Sequence, residues 1–143
     1  MATRLSAPDT HMLHHISLGV ADIQRSARFY DAVLGALGYV RVWEDLRPGQ
    51  EGQAVGYGPP GSGDKLAIKQ RNAPDPAPGP GFHLAFSAPT RAAVDQFHEA
   101  ALRAGGEDNG APGPRPEYGP HYYAAFIIDP DGYRIEAVIN IAA

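Results

Sequence analysis

The chain repeats itself. The stretches "HISLGVADIQRSARFYDAVLGALG" (15–38) and "HLAFSAPTRAAVDQFHEAALRAGG" (83–106) align without a gap at a constant shift of 68 residues. Six of the 24 positions are identical: His15 and His83, Phe29 and Phe97, Ala32 and Ala100, Leu34 and Leu102, Ala36 and Ala104, Gly38 and Gly106. A repeat constrains architecture more than local propensity does, because both copies must adopt one unit. Each copy opens with a strand, at 13–20 and 82–87, and continues as a helix, at about 24–36 and 90–104. Ile23, Ala27, Tyr30, Leu34 and Leu37 recur at helical spacing before Gly38, and Ala93, Phe97, Ala100 or Ala101 and Ala104 do so before Gly105-Gly106. Strand-like runs close each copy, at 39–43, 53–58 and 65–70 and at 107–109, 121–128 and 133–141. The expected fold class is α+β, with two β-α-β-β-β units forming a curved mixed sheet around a central cavity.

Gly and Pro number 17 and 14 and gather in 47–64, 73–81 and 110–120, which read as loops. The middle one divides the chain into unit one (13–72), a Pro-rich linker (73–80) and unit two (81–142) of a single domain spanning 13–143. Residues 1–12 are polar and patternless, and read as a disordered or cloning-derived tail. Twelve Lys and Arg against 16 Asp and Glu give a net charge of -4 and no basic face for nucleic acid. No apolar run approaches a membrane span, and no apolar leader core precedes the first strand, so a cytoplasmic location is expected. The absence of cysteine excludes disulfides, thiolate metal sites and Cys nucleophiles.

One residue breaks the pattern of the last strand. In "DPDGYRIEAV" (129–138), Glu136 stands in a run that otherwise reads as buried, and an unpaired buried carboxylate costs several kcal/mol. His15 and His83 occupy matched positions of the repeat, and Glu136 closes the second unit. Two imidazoles and a carboxylate are a common ligand set for a divalent transition metal, which would compensate the glutamate. The hairpin across Pro130-Asp131 decides which tyrosine shares the face of Glu136. With Asp129 opposite Gly132, Glu136 lies opposite Ala125 and Tyr123 shares its face, while Tyr122 looks away; a different turn reverses the two. Tyr123 is thus the candidate acid–base or substrate-binding residue. Arg115 and Lys69 could grip an anionic group, and Trp43 and Tyr57 could pack the core or line a pocket. His14, His98 and His121 read as residues outside the cup or at its rim. Gly-rich "GSGD" (61–64) opens no helix and makes no phosphate cradle.

"HHISLGVADIQRSARFY", "GFHLAFSAP" and "FIIDPDGYRIEAV", in this order, resemble the vicinal oxygen chelate superfamily, which includes glyoxalase I, bleomycin resistance proteins, fosfomycin-inactivating enzymes and extradiol dioxygenases. The chain is most similar to its small glyoxalase-like branch. The resemblance implies a divalent metal (Zn, Ni, Mn, Fe or Co) held by His15, His83 and Glu136, a homodimer, and a small substrate bound through two neighbouring oxygens. It implies a lyase or isomerase with Glu136 in the site, and Tyr123, taken from the hairpin reading, or metal-bound water would move the proton. The alternative is a metal-free protein that sequesters a drug or other ligand, as bleomycin resistance proteins do; an extradiol-type dioxygenase comes third. Glyoxalase I carries a second glutamate, which maps here to Ile68, or to Ala67 with a one-residue slip. Neither is acidic, which argues against a glutathione-hemithioacetal isomerase. The tyrosine and histidine of the dioxygenases would fall near Phe126 and Ile68.

Overall fold

A computed structural model describes residues 12–72 and 77–142. Nearly all of the tail and the first part of the linker (73–76) lie outside the described residues. Unit one comprises β1 (Ile16–Val20), α1 (Ile23–Gly35), β2 (Val40–Asp45), β3 (Ala54–Gly58) and β4 (Leu66–Gln70). Unit two comprises β5 (Leu84–Ser87), α2 (Arg91–Arg103), β6 (Glu107–Pro114), β7 (Tyr122–Ile128) and β8 (Arg134–Asn140). The α+β class and the β-α-β-β-β order of both units are as the repeat requires. The units form two separate four-stranded sheets with identical topology, β1-β4-β3-β2 and β5-β8-β7-β6. In each, the first strand runs parallel to the fourth and the other pairings are antiparallel.

The helices begin where a side chain can cap them. Asp22 accepts from the Arg25 N–H at 3.2 Å and Thr90 from the Ala93 N–H at 3.0 Å. They end on Gly38 and Gly105, both at positive φ, with the Tyr39 N–H returning to Leu34 O and the Gly106 N–H to Ala101 O. Each helix covers one face of its sheet, and α1 also packs on α2. Buried residues from both units therefore make one cluster, with Tyr30, Phe29, Phe97, Ile68 and Ile135 among its members. Among the described residues, the other, open face of each sheet carries no helix.

The Asp129-Pro130-Asp131-Gly132 turn, which reads in sequence only as a hairpin tip, joins the units. Asp129 is buried and accepts from the Tyr30 hydroxyl on α1 and from the N–H groups of Asp131 and Tyr133. Asp131 accepts from Ala21 N–H, Arg25 and Ser26 of unit one. Two more tyrosines cross between the units. Tyr133 donates to Gly19 O at 2.8 Å on β1, and Tyr39 donates to Ser87 O at 2.7 Å on β5. Gly19 and Ser87 are equivalent at the shift of 68, so each unit caps the same carbonyl of the other.

Residues 110–114, expected as loop, belong to β6. Two register shifts, between Asp108 and Gly110 and between Gly110 and Gly113, let this Gly- and Pro-rich segment follow β7 without a regular ladder. A single turn of 3-10 helix at Pro116–Tyr118 completes the connection to β7. Tyr57, left open in sequence between core and pocket, is buried and donates to Ala27 O at 3.1 Å and Asp31 at 2.9 Å.

Burial raises the pKa of the Tyr30 and Tyr57 phenols above the ordinary tyrosine value, and the neighbouring charges of Asp129 and Asp31 add to the shift. A phenol whose folded pKa exceeds its unfolded pKa supports folding until the unfolded chain starts to lose that proton, near pH 10. The urea midpoint should therefore drop as pH rises from about 9 to about 11, and drop less in Tyr57→Phe. A midpoint that stays level over this range would contradict the assignment.

Candidate functional site

Strand alternation on sheet two separates two sets of side chains. Ile135, Ala137, Ile127 and Ala125 join the buried cluster on the helix side. His83, Tyr122, Phe126, Arg134 and Glu136 line a depression of about 480 Å³ on the open face, together with Pro80, Gly81, Phe82, Asn109 and Tyr118. Glu136 is 2% exposed, and each of its two oxygens has a donor. The Tyr122 hydroxyl donates to Oε2 at 2.5 Å, and His83 Nε2–H donates to Oε1. The chain thus pairs its buried carboxylate with an imidazole and a phenol. Burial, then the hydrogen bond to Glu136 and its charge, raise the Tyr122 pKa well above the usual phenol range.

This corrects the expectation for Tyr123. The hairpin holds Asp129 against Tyr133, not Gly132, and Glu136 pairs with Phe126, not Ala125. One extra residue in the turn exchanges the faces of the whole strand. Tyr123 consequently points to the helix side, where it donates to Asp95 of α2 at 2.7 Å under the Arg91 guanidinium. Tyr122 takes the position expected of Tyr123, the exchange that the alternative turn allows.

His15 lies just before β1 as His83 lies just before β5, and both are exposed. Its Nδ1 meets Nδ1 of His14 at 2.8 Å. Among the described residues, no group of three or more His, Asp or Glu side chains comes together, so one chain joins His83 to Glu136 but does not bring His15 to them. The ladders also settle what unit one carries in place of Glu136. Ile16 pairs with Leu66 and Leu84 with Ile135, so β4 corresponds to β8 at a shift of 69, and Ala67 stands where unit two has Glu136.

The open faces differ in a second way. In unit one, Trp43 of β2 lies across Gly56 of β3, where an added Cβ would meet the indole Nε1 at 2.3 Å. In unit two, Phe126 of β7 lies across Gly110 of β6, where an added Cβ would meet its Cδ2 at 2.9 Å. Each unit thus has one aromatic laid over one cross-strand glycine, with the partners on opposite strands. His83 and the Arg115 guanidinium flank the Phe126 ring at 5.6 and 5.3 Å from its centre. Arg115 is further engaged by donating to Ala111 O at 2.6 Å, while Lys69 is exposed. His98 contacts Asp108 at 2.9 Å, and His121 is exposed in the turn before β7. A smaller depression of about 300 Å³ between the units, lined by Leu34, Tyr39, Phe86 and Ser87 among others, contains none of the candidate ligands.

Two matched β-α-β-β-β units, with a buried carboxylate paired to a strand-edge histidine on an open sheet face, define a fold class suited to a small-molecule site. The chain belongs to the Glyoxalase/Bleomycin resistance protein/Dioxygenase superfamily, whose family model matches residues 12–137. It is 30% identical to a glyoxalase/bleomycin resistance protein from Albidiferax ferrireducens T118, over 90% of this chain and 98% of that one, with a TM-score of 0.72. A glyoxalase-related enzyme from Fulvimarina pelagi shares the fold at 24% identity, covering 92% of this chain and 88% of that one (TM-score 0.66). So does an E144Q mutant of glyoxalase I from Zea mays at 22% identity, covering 88% of this chain and 46% of that one (TM-score 0.66). No curated protein matches the sequence. No helix among the described residues is long and apolar enough to cross a membrane.

Proposed function

We propose that the protein is a metal-dependent, glyoxalase-like lyase or isomerase acting on a small substrate with two neighbouring oxygens. The observation that carries this reading is the direct contact of His83 Nε2 with Glu136 Oε1 on the wall of an open depression. An imidazole nitrogen and a carboxylate oxygen that share a proton are the two donor atoms a divalent cation would take in its place. When bound, such an ion would supply Lewis-acid polarisation of the two substrate oxygens.

His15 of a second copy would complete the ligand set. The outer edges of β1 and β5 have no strand partner among the described residues, and His15 and His83 flank those two edges. A two-fold pair that sets β1 of one copy beside β5 of the other would bring the three ligands together. The site would then need a homodimer. Tyr122 replaces Tyr123 as the proton-bearing residue. Its hydroxyl is protonated across the neutral range and donates at Oη, and the raised pKa makes it a hydrogen-bond donor in preference to a proton-releasing acid. With Ala67 in place of a second glutamate, the site has one carboxylate, and the missing group would be a proton-transfer base in a glutathione-hemithioacetal isomerase.

One observation favours a second reading, ligand sequestration without metal: Glu136 already has a donor at each oxygen within the chain. Elemental analysis of protein purified without chelator separates the two. About one divalent metal per chain is expected, falling to background in His83→Ala and Glu136→Gln while circular dichroism stays unchanged. Protein that neither contains nor takes up Zn, Ni, Mn or Fe, yet binds small ligands after both substitutions, would support sequestration instead.

A further inference from the structure

We infer that Arg134 is the anchor for a carboxylate on the ligand of this depression, and that the ligand is an organic acid with a flat apolar body. The inference rests on the reading of the depression as a ligand site, and it adds the class of ligand. Arg134 lies two residues from Glu136 on β8, on the same face, and is half-buried in the wall. The other half-buried arginines have acceptors: Arg25 pairs with Asp131 and Arg115 with Ala111 O. The Arg134 guanidinium has no ion pair and no hydrogen bond among the described residues, while its backbone pairs with Ile128. Glu136, two residues along the same face, takes its hydrogen bonds from Tyr122 and His83 and makes no contact with the Arg134 guanidinium. A half-buried guanidinium without an acceptor leaves a positive charge at the Arg134 end of the depression, apart from the Glu136 carboxylate at the other end.

The fork of a guanidinium matches the two oxygens of a carboxylate, which makes a carboxylate the fitting anion for a lone arginine. The rest of the wall is aromatic. Phe126 and the Tyr118–Tyr122 pair, whose ring centres are 5.3 Å apart, offer surface for a planar apolar body. Two residues along a strand separate Arg134 from Glu136 by about 7 Å, so the carboxylate and the end of the ligand near Glu136 are distinct parts of one molecule.

Benzoate and benzamide, which have the same shape and differ in charge, test this by titration calorimetry on the full chain. The parent should bind benzoate about tenfold or more tightly than benzamide, the effect of one charge-assisted contact. Arg134→Gln should erase that preference, lowering benzoate affinity about tenfold more than benzamide affinity, with the thermal midpoint unchanged. Equal affinity for the two ligands in the parent, a preference that survives Arg134→Gln, or no benzoate binding at millimolar concentration would each overturn the assignment. Zinc uptake, measured on the same two proteins, reports separately on the metal proposal. Parent that prefers benzoate but takes up no zinc would sink the metal reading and leave Arg134 standing. Zinc uptake without a benzoate preference would do the reverse.

Discussion

Co-expressed chains carrying His15→Ala and Glu136→Gln should recover metal that neither variant holds alone. If each site takes His15 from one copy and His83 with Glu136 from the other, a mixed dimer has one site with both substitutions and one site with neither. Random pairing makes half of the dimers mixed, so metal content should return from background to about a quarter equivalent per chain. The two variants expressed separately should stay at background. A co-expressed sample that also stays at background would remove the cross-chain site, because no arrangement within one chain can be rescued by its neighbour. The experiment is decisive because it asks for a gain, which general damage to the fold cannot imitate.

Asp129→Ala should be the most destabilising single change outside the apolar core. The residue is 4% exposed and its carboxylate satisfies a phenol and two backbone N–H groups, and its removal leaves the buried Tyr30 hydroxyl and Tyr133 N–H and the half-buried Asp131 N–H without that acceptor. Orphaned donors of this kind cost about 1–3 kcal/mol each, partly relieved by entering water, so a loss of about 3–5 kcal/mol is expected. Equilibrium urea unfolding measures it. Burial also raises the Asp129 pKa, so its ionisation opposes folding as pH rises through the raised value. Asp129→Asn keeps an acceptor oxygen for the N–H groups and should recover part of the loss. A loss below about 1 kcal/mol in Asp129→Ala would mean that the turn does not hold the units together.

Much of this fold could be read from residues 15–38 and 83–106, because helix periodicity and strand–helix order survive in both copies. Helix ends fell within one residue of the expected 24–36 and 90–104, since Gly38 and the Gly105-Gly106 pair mark backbone conformations that other residues resist. His83 and Glu136 could be paired from their place in the repeat. Tyr122 could not, because a face assignment depends on the number of residues in a turn, and Pro130 and Gly132 are compatible with more than one length. The ungapped shift of 68 points to Ile68, and the ladders realise the one-residue slip to Ala67 for a related reason: the connections differ in length, so correspondence drifts along the chain. The β6 segment was obscured by its own composition, as Gly and Pro are poor strand formers held there by pairing with β7. The joining role of Asp129 and Asp131 is a long-range property, invisible to any local pattern.

The exchanged glycine–aromatic pairs suggest how the two halves of such a chain can diverge. Trp43 over Gly56 and Phe126 over Gly110 fill similar volume across paired strands, yet they put the large ring on an outer strand in one half and an inner strand in the other. Trading bulk between neighbours in this way reshapes the open surface while the helix-facing residues of the same strands keep their packing. Inheritance and novelty then sit on opposite sides of one sheet, and a lineage could retune what it recognises by compensated swaps without passing through an unfolded ancestor.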